Sequence, residues 1–395
     1  MKVLNVNLHF YPESIGGATV VAEKLAWGLT RQGHEVTNVF LSLPPGDRDY
    51  RIHDTPFGRS VGIKNIPQTP ANRFYSPAAA SAFREIHDIF APDRIFVHAV
   101  QHLGLHGILT DRSLLEKTTI IAHDFFWVCL QGFRRLPDGS DCHLVPGNAA
   151  CRQCAWYPGL TDNIYATSRQ IIEGSRAVVF PSEYLFREYN NIAPGLRGNL
   201  HVQANPDMAE MIIPPSAELP EPPGAAQKGS GKTIFGFVGG PGEAKGWSLV
   251  RDFMDRAEEM ADQPTGPHVV LFDIGRSVGA PWYPGVKRPG VTIADPFHWS
   301  FAAHTLQHLD VMLMPSRVRE SFGLAAREIL SMGKACVLRP SGALSELAGY
   351  DRVVVVDEND DVDSILSKLS ASDNLPKGEW TGTSIEDYAD RLLAL

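Results

Sequence analysis

Short apolar strands alternate with amphipathic helices along most of this chain, and this alternation limits the fold more than any other feature. The N-terminal region indicates a strand over 2–9, a glycine loop, a helix over 20–32 and a strand over 35–41. A second helix is predicted at 76–90. Further strands are predicted at 94–99, 118–122, 177–180, 233–240, 268–272, 291–294, 311–314, 335–338 and 353–356. Such alternation predicts an α/β architecture with parallel sheets whose two faces are covered by helices.

The composition changes sharply after Asn205-Pro206. Prolines crowd the segment up to Lys232, as is typical of an interdomain linker, and a second strand–glycine loop–helix unit follows it. A chain of 395 residues is also long for a single hydrophobic core. We therefore predict two doubly wound Rossmann-like domains, 1–205 and 206–375, which face each other across a cleft and bind ligands at the carboxyl ends of their strands.

Charge and composition narrow the class of protein. A formal net charge of −9 argues against nucleic acid as a partner. No apolar run reaches the ~20 residues that span a bilayer, so we predict no transmembrane segment. The N-terminus enters a strand directly and the chain holds five cysteines, which favours a reducing cytoplasm over secretion. A basic patch on a membrane-facing surface stays compatible with this charge, so peripheral contact with the inner face of a membrane is an open alternative.

Two glutamates, Glu320 and Glu328, lie across a predicted strand-to-helix junction. The strand over 311–314 ends before them, and we predict that the next helix begins at 321–323 and carries Glu328 in its second turn. Because the first N–H groups of a helix have no internal partners, they can bind an anion. A carboxylate on an apolar helix face needs donors, which a hydroxyl-rich ligand such as a sugar supplies. The alternative is that both are ordinary helix-start acids favoured by the helix dipole.

A glycine loop follows the first strand of each predicted domain. Gly16-Gly17 lets a ligand approach the backbone, but the surrounding sequence lacks the G-x-G-x-x-G pattern, which argues against a nicotinamide dehydrogenase. In the second domain Gly239-Gly240 ends a strand, and Lys245 precedes a helix where its ammonium could neutralise a phosphate. The alternative for this second loop is a tight turn with a solvated lysine.

Histidines cluster near strand ends in the first domain. His123-Asp124 ends an apolar strand, where an imidazole could position or polarise a reacting hydroxyl. The alternative is a histidine that is satisfied structurally. His98, His102 and His106 recur at four-residue spacing, but this stretch begins in a strand, which disfavours metal ligation.

Four of the five cysteines lie in one polar insertion. Cys151 and Cys154 have the C-x-x-C spacing of a zinc knuckle, and Cys129 and Cys142 would complete a closed, structural four-thiolate site. Free thiols or one labile disulfide are the alternatives, because the first two cysteines are irregularly spaced. Cys336 is predicted to be a core residue of its strand.

Together these motifs resemble the retaining GT-B glycosyltransferases of the large family marked by E-x7-E, glycosyltransferase family four of the group-one type. Glu320 and Glu328 match that hallmark, and the resemblance spans nearly the whole chain in the same order. The other matching segments are Gly16-Gly17, His123-Asp124, Pro181-Ser182-Glu183, Asn205-Pro206, FVGG with Lys245-Gly246, and 341–346. The resemblance implies a GT-B fold, in which a C-terminal helix within 376–395 packs back on the first domain.

The resemblance also implies a role for each site residue. Lys245 would hold the diphosphate of a nucleotide-sugar donor, Glu328 its ribose and Glu320 its sugar, while His123 would sit beside the transferring sugar. The implied catalytic set is His123, Glu320 and Lys245. The implied donor-binding set is Gly16, Gly17, Gly239, Gly240, Lys245, Ser321, Phe322, Gly323, Leu324 and Glu328.

One position departs from the family pattern. The arginine that usually follows the glycine of the FVG strand, and that shares the diphosphate with the lysine, is Gly240 here. Arg276, Arg317 and Arg319 are the candidates to supply the missing charge.

The resemblance implies transfer of a sugar, with retention of anomeric configuration, to a hydroxyl of a glycan, a lipid-linked or a small-molecule acceptor. Residues 1–205 would bind the acceptor and 206–375 the donor, and no cofactor would be required for the chemistry. The alternatives are a GT-B nucleotide-sugar epimerase and a non-catalytic sugar-nucleotide-binding or scaffold protein.

Overall fold

The computed structural model describes residues 1–42, 49–69, 72–147, 151, 154, 161–209, 212, 221–272, 287–372 and 380–395. The chain forms two compact units, one from Met1–Pro206 with Thr383–Leu395 and the other from Asp207–Gly382. Each unit has its own sheet of mainly parallel strands with helices around it, which confirms the predicted class of two Rossmann-like α/β domains.

The elements follow one another in chain order as strands and crossover helices. The strands are β1 (Lys2–Val6), β2 (Glu35–Leu41), β3 (Tyr50–Thr55), β4 (Gly58–Ile63), β5 (Arg94–Val97), β6 (Thr118–Ile121), β7 (Ala177–Phe180), β8 (Leu200–Val202), β9 (Thr233–Val238), β10 (Pro267–Phe272), β11 (Val291–Ala294), β12 (Val311–Met314), β13 (Ala335–Leu338) and β14 (Val353–Val355). The α-helices are α1 (Gly16–Arg31), α2 (Pro77–Phe90), α3 (Arg112–Leu115), α4 (Thr161–Gly174), α5 (Glu183–Ile192), α6 (Ala225–Gly229), α7 (Trp247–Glu259), α8 (Ala302–Thr305), α9 (Leu324–Ser331), α10 (Val362–Ser372) and α11 (Ile385–Ala394).

The first unit contains an eight-stranded sheet in the order β3-β4-β2-β1-β5-β6-β7-β8. The hairpin partners β3 and β4 pair antiparallel, and the other described neighbours run parallel. β1 lies near the middle, and its Val3, Leu4 and Val6 are fully buried. The polar Asn5 of the same strand is also buried, and its amide donates to Asn38 Oδ1 at 3.0 Å and to Ala22 O at 3.0 Å. The two donors of this amide are therefore paired in the core, whereas among the described residues its Oδ1 has no hydrogen-bond partner.

The second unit contains a six-stranded parallel sheet in the order β11-β10-β9-β12-β13-β14. Successive residues of its strands point to opposite faces, so Phe235 and Phe237 join one buried cluster while Ile234 joins another. Cys336 lies in the second of these clusters and is fully buried, which confirms its predicted core position. Both faces are therefore covered, as parallel sheets require.

The C-terminal helix α11 belongs to the first unit and packs on α1. The approach is close at Gly28, where an added Cβ would lie 2.8 Å from Ile385 Cγ2 and 3.3 Å from Ala389 Cβ. Gln203 Nε2 donates to Tyr388 O at 3.1 Å, which also fastens the helix to the segment after β8. Glycine at 28 permits this contact because it has no side chain.

The structure differs from the sequence prediction at several elements. Helix α1 begins at Gly16, four residues before the predicted start, and β3 and β4 form a hairpin that the sequence analysis did not predict. The exposure of β3 follows no clean alternation, so its sequence carries little strand signal. Within the proline-rich linker, Ala225–Gly229 forms the short helix α6, and residues 210–211 and 213–220 lie outside the described ranges.

Among the described residues, no helix has the length and apolar character needed to cross a membrane. The longest described helix, α1, has 16 residues.

Replacing Gly28 by valine should weaken the attachment of α11. The added side chain would overlap Ile385, and overpacking of this kind typically costs about 1–3 kcal/mol. Urea unfolding of Gly28→Val should therefore show a lower midpoint than the wild type. Gly17→Val in the same helix is the control, since among the described residues nothing lies within 4 Å of its added Cβ. Equal losses in the two variants would contradict the close packing at Gly28.

Candidate functional site

The second sheet changes direction between β9 and β12. The chain winds outward from β9 through β10 to β11, then returns to pair β12 with the other side of β9. Ligands of open α/β sheets bind outside the carboxyl ends of the strands at such a switch point. Here those ends lead into Gly239-Gly240 and into Pro315-Ser316, the two loops that the sequence singled out.

The turn that carries Lys245 is fixed against the loop after β12. The amides of Arg317 and Val318 donate to Ala244 O at 2.9 and 3.2 Å. Gly246 has a φ of +74°, and a Cβ there would lie 2.0 Å from Pro315 O, so only glycine fits. The two loops therefore form one rigid edge, and Lys245 is held at the end of β12.

Lys245 and Glu320 meet at this edge. Lys245 Nζ lies 2.6 Å from Glu320 Oε1, which also accepts a hydrogen bond from Ser316 Oγ at 2.7 Å. The side chain of Glu320 is 16% exposed and that of Lys245 is 44% exposed. The carboxylate is therefore the fixed member of the pair, while the half-exposed ammonium can turn toward an anion. The sequence analysis missed Ser316, because its contact with Glu320 depends on how the loop folds back.

The backbone of Glu320 is clamped by the segment after β13. Gly342 forms a parallel bridge with Glu320, and the amide of Ala343 donates to Glu320 O at 2.7 Å. Gly342 has a φ of +63°, and a Cβ there would lie 2.3 Å from Glu320 O. Ser341 Oγ donates to Val318 O at 2.7 Å and fixes the same loop.

Helix α9 begins at Leu324, so the prediction that it begins at 321–323 was wrong. Gly323 precedes it with a φ of +77°, a left-handed conformation that does not continue an α-helix. Ser321, Phe322 and Gly323 therefore lie in the loop before the helix, where their amides stand at its N-terminus. Glu328 does lie in the second turn and is 7% exposed, as a carboxylate on a buried helix face should be.

A buried arginine, which the sequence analysis missed, supports this loop. Arg327 Nε donates to Phe322 O at 3.0 Å, its guanidinium lies 4.2 Å from the centre of the Phe322 ring, and a terminal nitrogen lies 3.1 Å from Glu346 Oε2. Burial lowers the pKa of Arg327, and the charges of Asp207 and Glu346 oppose that shift. The side chain and the carbonyl of Phe322 are thus both held by Arg327.

The glycines after β9 differ in the space around them. A Cβ on Gly239 would lie 2.6 Å from the Phe237 ring, whereas among the described residues no atom lies within 4 Å of a Cβ on Gly240. Of the arginines predicted to replace the missing charge, Arg317 is exposed and Arg319 is partly exposed, and both follow β12. Arg276 lies outside the described residues.

In the first unit, the glycine pair begins α1. Gly16 and Gly17 are both exposed, and Gly16 has a φ of +81°. In the part of the chain that the structure describes, nothing lies within 4 Å of a Cβ on either glycine. The N-terminus of this 16-residue helix is thus open to solvent.

His123 is paired with His98 at the carboxyl ends of β6 and β5. His98 Nδ1 lies 2.9 Å from His123 Nε2, and the two rings stack with their centres 5.1 Å apart. His98 is buried, and its pKa is lowered well below the usual value, first by burial and then by the charge of His123. Although part of its surface is exposed, His123 is also desolvated by the surrounding protein, which lowers its pKa to about 3. Both imidazoles are therefore neutral near pH 7.

Asp124 is desolvated as well. Burial raises its pKa to about 6. Hydrogen bonds from the Phe126 amide at 2.7 Å and from Gln101 Nε2 at 2.8 Å lower the pKa and so oppose this shift. Its carbonyl oxygen accepts from the Tyr189 hydroxyl at 2.7 Å. Asp124 is therefore held rigidly beside His123.

His106 and His102, the other histidines of the predicted four-residue spacing, lie apart from the His98–His123 pair in the pattern of contacts. His106 is fully buried among the rings of Phe74, Phe126 and Trp127, and His102 has a φ of +71°. Among the described residues, no group of three or more His, Cys, Asp or Glu side chains is arranged to hold a metal ion.

Four cysteines line one small cavity of about 20 Å³ in the first unit. They are Cys129, Cys142, Cys151 and Cys154. All five cysteines of the chain are free thiols, so a disulfide is not formed in this structure.

Known structures share this architecture. A sucrose-phosphate synthase from Thermosynechococcus elongatus superposes with a TM-score of 0.59 at 15% identity, over 100% of this chain and 94% of that chain. The catalytic domain of starch synthase IV from Arabidopsis thaliana, bound to ADP and acarbose, gives 0.58 at 15%, over 100% and 98%. A Listeria monocytogenes protein assigned as a UDP-N-acetylglucosamine 2-epimerase gives 0.59 at 12%, over 100% and 95%.

No protein-family model and no curated protein sequence matches the chain. The similarity to solved structures, at identities this low, shows the fold alone. The chain has the GT-B architecture of these sugar-nucleotide enzymes, which confirms the predicted fold.

The buried histidines predict a loss of stability in acid. Burial lowers the pKa of His106 from 6.5 to about 3, so the fold favours its neutral form, and this stability is lost as the pH falls below 6.5. Between pH 7 and pH 5 one such group removes about 2 kcal/mol from the free energy of unfolding. His106→Phe, which keeps a ring among its aromatic neighbours, should show a correspondingly smaller change in urea unfolding between these pH values. If the free energy of unfolding fell equally in the wild type and in His106→Phe between these pH values, His106 would not be the source of the acid sensitivity.

Proposed function

We propose that this protein is a glycosyltransferase that moves a sugar from a nucleotide-diphosphate donor to an acceptor hydroxyl. The observation that carries the proposal is the Lys245–Glu320–Ser316 group, held at the carboxyl ends of β9 and β12 beside the N-terminus of α9. It combines a half-exposed cation, the N-terminus of a helix and a fixed carboxylate at the point where α/β sheets bind nucleotides.

Different residues of the proposed donor site bind different parts of the donor. Lys245 leaves Glu320 and binds the diphosphate together with the amides of Phe322–Leu324, which also stabilise the negative charge of the leaving group. Glu320 then receives hydroxyls of the donor sugar, and Glu328 receives those of the ribose. The resemblance to the E-x7-E family supports these roles, and Glu328 is buried in the second turn of α9.

The first unit is the proposed acceptor domain. His123 is neutral near pH 7, so its part in the reaction is to position a hydroxyl or a sugar oxygen through hydrogen bonds. Gly16 and Gly17 offer the open N-terminus of α1 to a ligand. We further propose retention of anomeric configuration by front-face attack, with no metal required for the chemistry and with a glycan, lipid-linked or small-molecule acceptor. An epimerase of the same fold would consume the donor without an acceptor, and this distinguishes the two activities.

Substitutions of Lys245 and Glu328 should weaken different parts of donor binding. Calorimetry with uridine, adenosine and guanosine diphosphates first identifies the ligand, and Lys245→Ala should then weaken its binding at least about tenfold, because a charge-assisted contact is lost. Lys245→Ala should also weaken the binding of inorganic pyrophosphate, whereas Glu328→Ala should weaken only the binding of the nucleotide. Lys287→Ala, at an exposed lysine of the same unit, is the control. Unchanged affinities in both site variants would refute the assignment.

Replacing Gly240 by arginine should strengthen binding of the diphosphate. Among the described residues no atom lies within 4 Å of a Cβ at this position, so Gly240→Arg restores a cation with its Cβ in open space. We expect about tenfold tighter nucleoside-diphosphate binding, measured by the same calorimetry. Gly240→Gln is the matched control, because it adds a long polar side chain without charge. If the two variants bind equally, position 240 does not face the diphosphate.

A further inference from the structure

We propose that Cys129, Cys142, Cys151 and Cys154 form a structural site for one thiophilic divalent metal ion, zinc under ordinary conditions. The site lies in the first unit, in the insertion that follows His123-Asp124. Its role does not depend on the proposed sugar transfer.

The four thiols converge on one space. They line the same cavity of about 20 Å³, although Cys129 and Cys154 are far apart in sequence. A cavity of this size holds about one water-sized sphere, which is room for a single ion. Four cysteine ligands are typical of structural zinc.

Backbone hydrogen bonds connect the segments that carry Cys129 and Cys142. The Gly132 amide donates to Cys129 O at 2.8 Å, which forms a turn after Cys129. Two residues later, the carbonyl of Arg134 accepts from the Cys142 amide at 2.8 Å. These contacts also join two cysteines that sequence spacing alone did not relate.

A buried arginine supplies a second, independent indication. Arg134 lines the cavity, is 2% exposed and has a φ of +53°, which a non-glycine residue adopts only when its surroundings require it. Among the described residues its Nε has no hydrogen-bond partner. A buried guanidinium needs negative charge beside it. Four thiolates around a divalent ion carry a net negative charge, which Arg134 would offset.

Metal binding requires a small contraction of this cluster. The described thiols are not arranged as a finished coordination shell, so the four sulfurs must move inward onto the ion. Cys151 and Cys154 are already joined by a hydrogen bond, since the Cys154 amide donates to Cys151 O at 3.2 Å. Because four thiolates leave no open position, the ion would hold the insertion together and take no part in catalysis.

The insertion is connected to the candidate catalytic residues. The Phe125 amide donates to Gly132 O at 3.2 Å, and a Cβ on Gly132 would lie 3.3 Å from Asp124 Oδ2. Gly132 also belongs to the turn after Cys129, because its amide donates to Cys129 O at 2.8 Å. A metal that fixes Cys129 would therefore also fix the loop that packs against Asp124.

Elemental analysis tests the proposal directly. Untagged protein purified without added metal should contain about one equivalent of zinc per chain. The double variant Cys151→Ser/Cys154→Ser should lose at least about four-fifths of that zinc, because two thiolates hold the ion poorly. Cys336→Ala is the matched control, since Cys336 is a cysteine in the core of the other unit, and it should keep the full amount.

A second measurement keeps the test decisive if the double variant does not fold. Wild-type protein produced in cobalt-supplemented medium should show thiolate-to-cobalt charge-transfer absorption with the intensity of a four-thiolate site. Wild-type zinc below about half an equivalent, without that absorption, would overturn the proposal. A disulfide between Cys151 and Cys154, mapped by mass spectrometry in freshly purified protein, would overturn it equally.

Discussion

The parallel pairing of β9 with β12 is the interaction on which the candidate donor site depends. These strands are distant in sequence, and their register joins Phe235 to Val311 and Gly236 to Met312. Glycine at 236 is required for this packing, since a Cβ there would lie 2.4 Å from Leu309 Cδ1. Once the strands pair, the loops after them begin side by side. The hydrogen bonds from Arg317 and Val318 to Ala244 then bring Lys245 to Glu320.

The ion pair between Lys245 and Glu320 positions the lysine at the site and adds little to the stability of the fold. A half-exposed pair contributes little to the free energy of folding, so the lysine can exchange its carboxylate partner for a phosphate at small cost. The carboxylate, by contrast, keeps the hydrogen bond from Ser316 and the backbone clamp from Gly342. The ion pair thus keeps the Lys245 ammonium beside the loop that precedes α9. Arg327 also fixes the loop before α9, through its contacts with Phe322 and Glu346.

Local sequence signals predicted the strands well and the contacts between loops poorly. The apolar strands β7 and β12 have their predicted bounds, because short buried runs flanked by polar and proline residues are unambiguous. The start of α9 was predicted too early, because the left-handed conformation of Gly323 depends on its packing against Leu344. Ser316 and Arg327 carry no motif of their own, and their importance comes from partners that the fold supplies. The pairing of His98 with His123 is likewise a result of neighbouring strands and not of spacing.

A crystal structure of the protein with a bound nucleoside diphosphate tests the central claim most directly. The account predicts that Lys245 Nζ has left Glu320 and lies within hydrogen-bonding distance of a phosphate oxygen, which the amides of Phe322–Leu324 also contact. Glu328 should then accept hydrogen bonds from the ribose hydroxyls. A nucleotide bound elsewhere, or bound with the Lys245–Glu320 pair intact and no phosphate near it, would contradict the account.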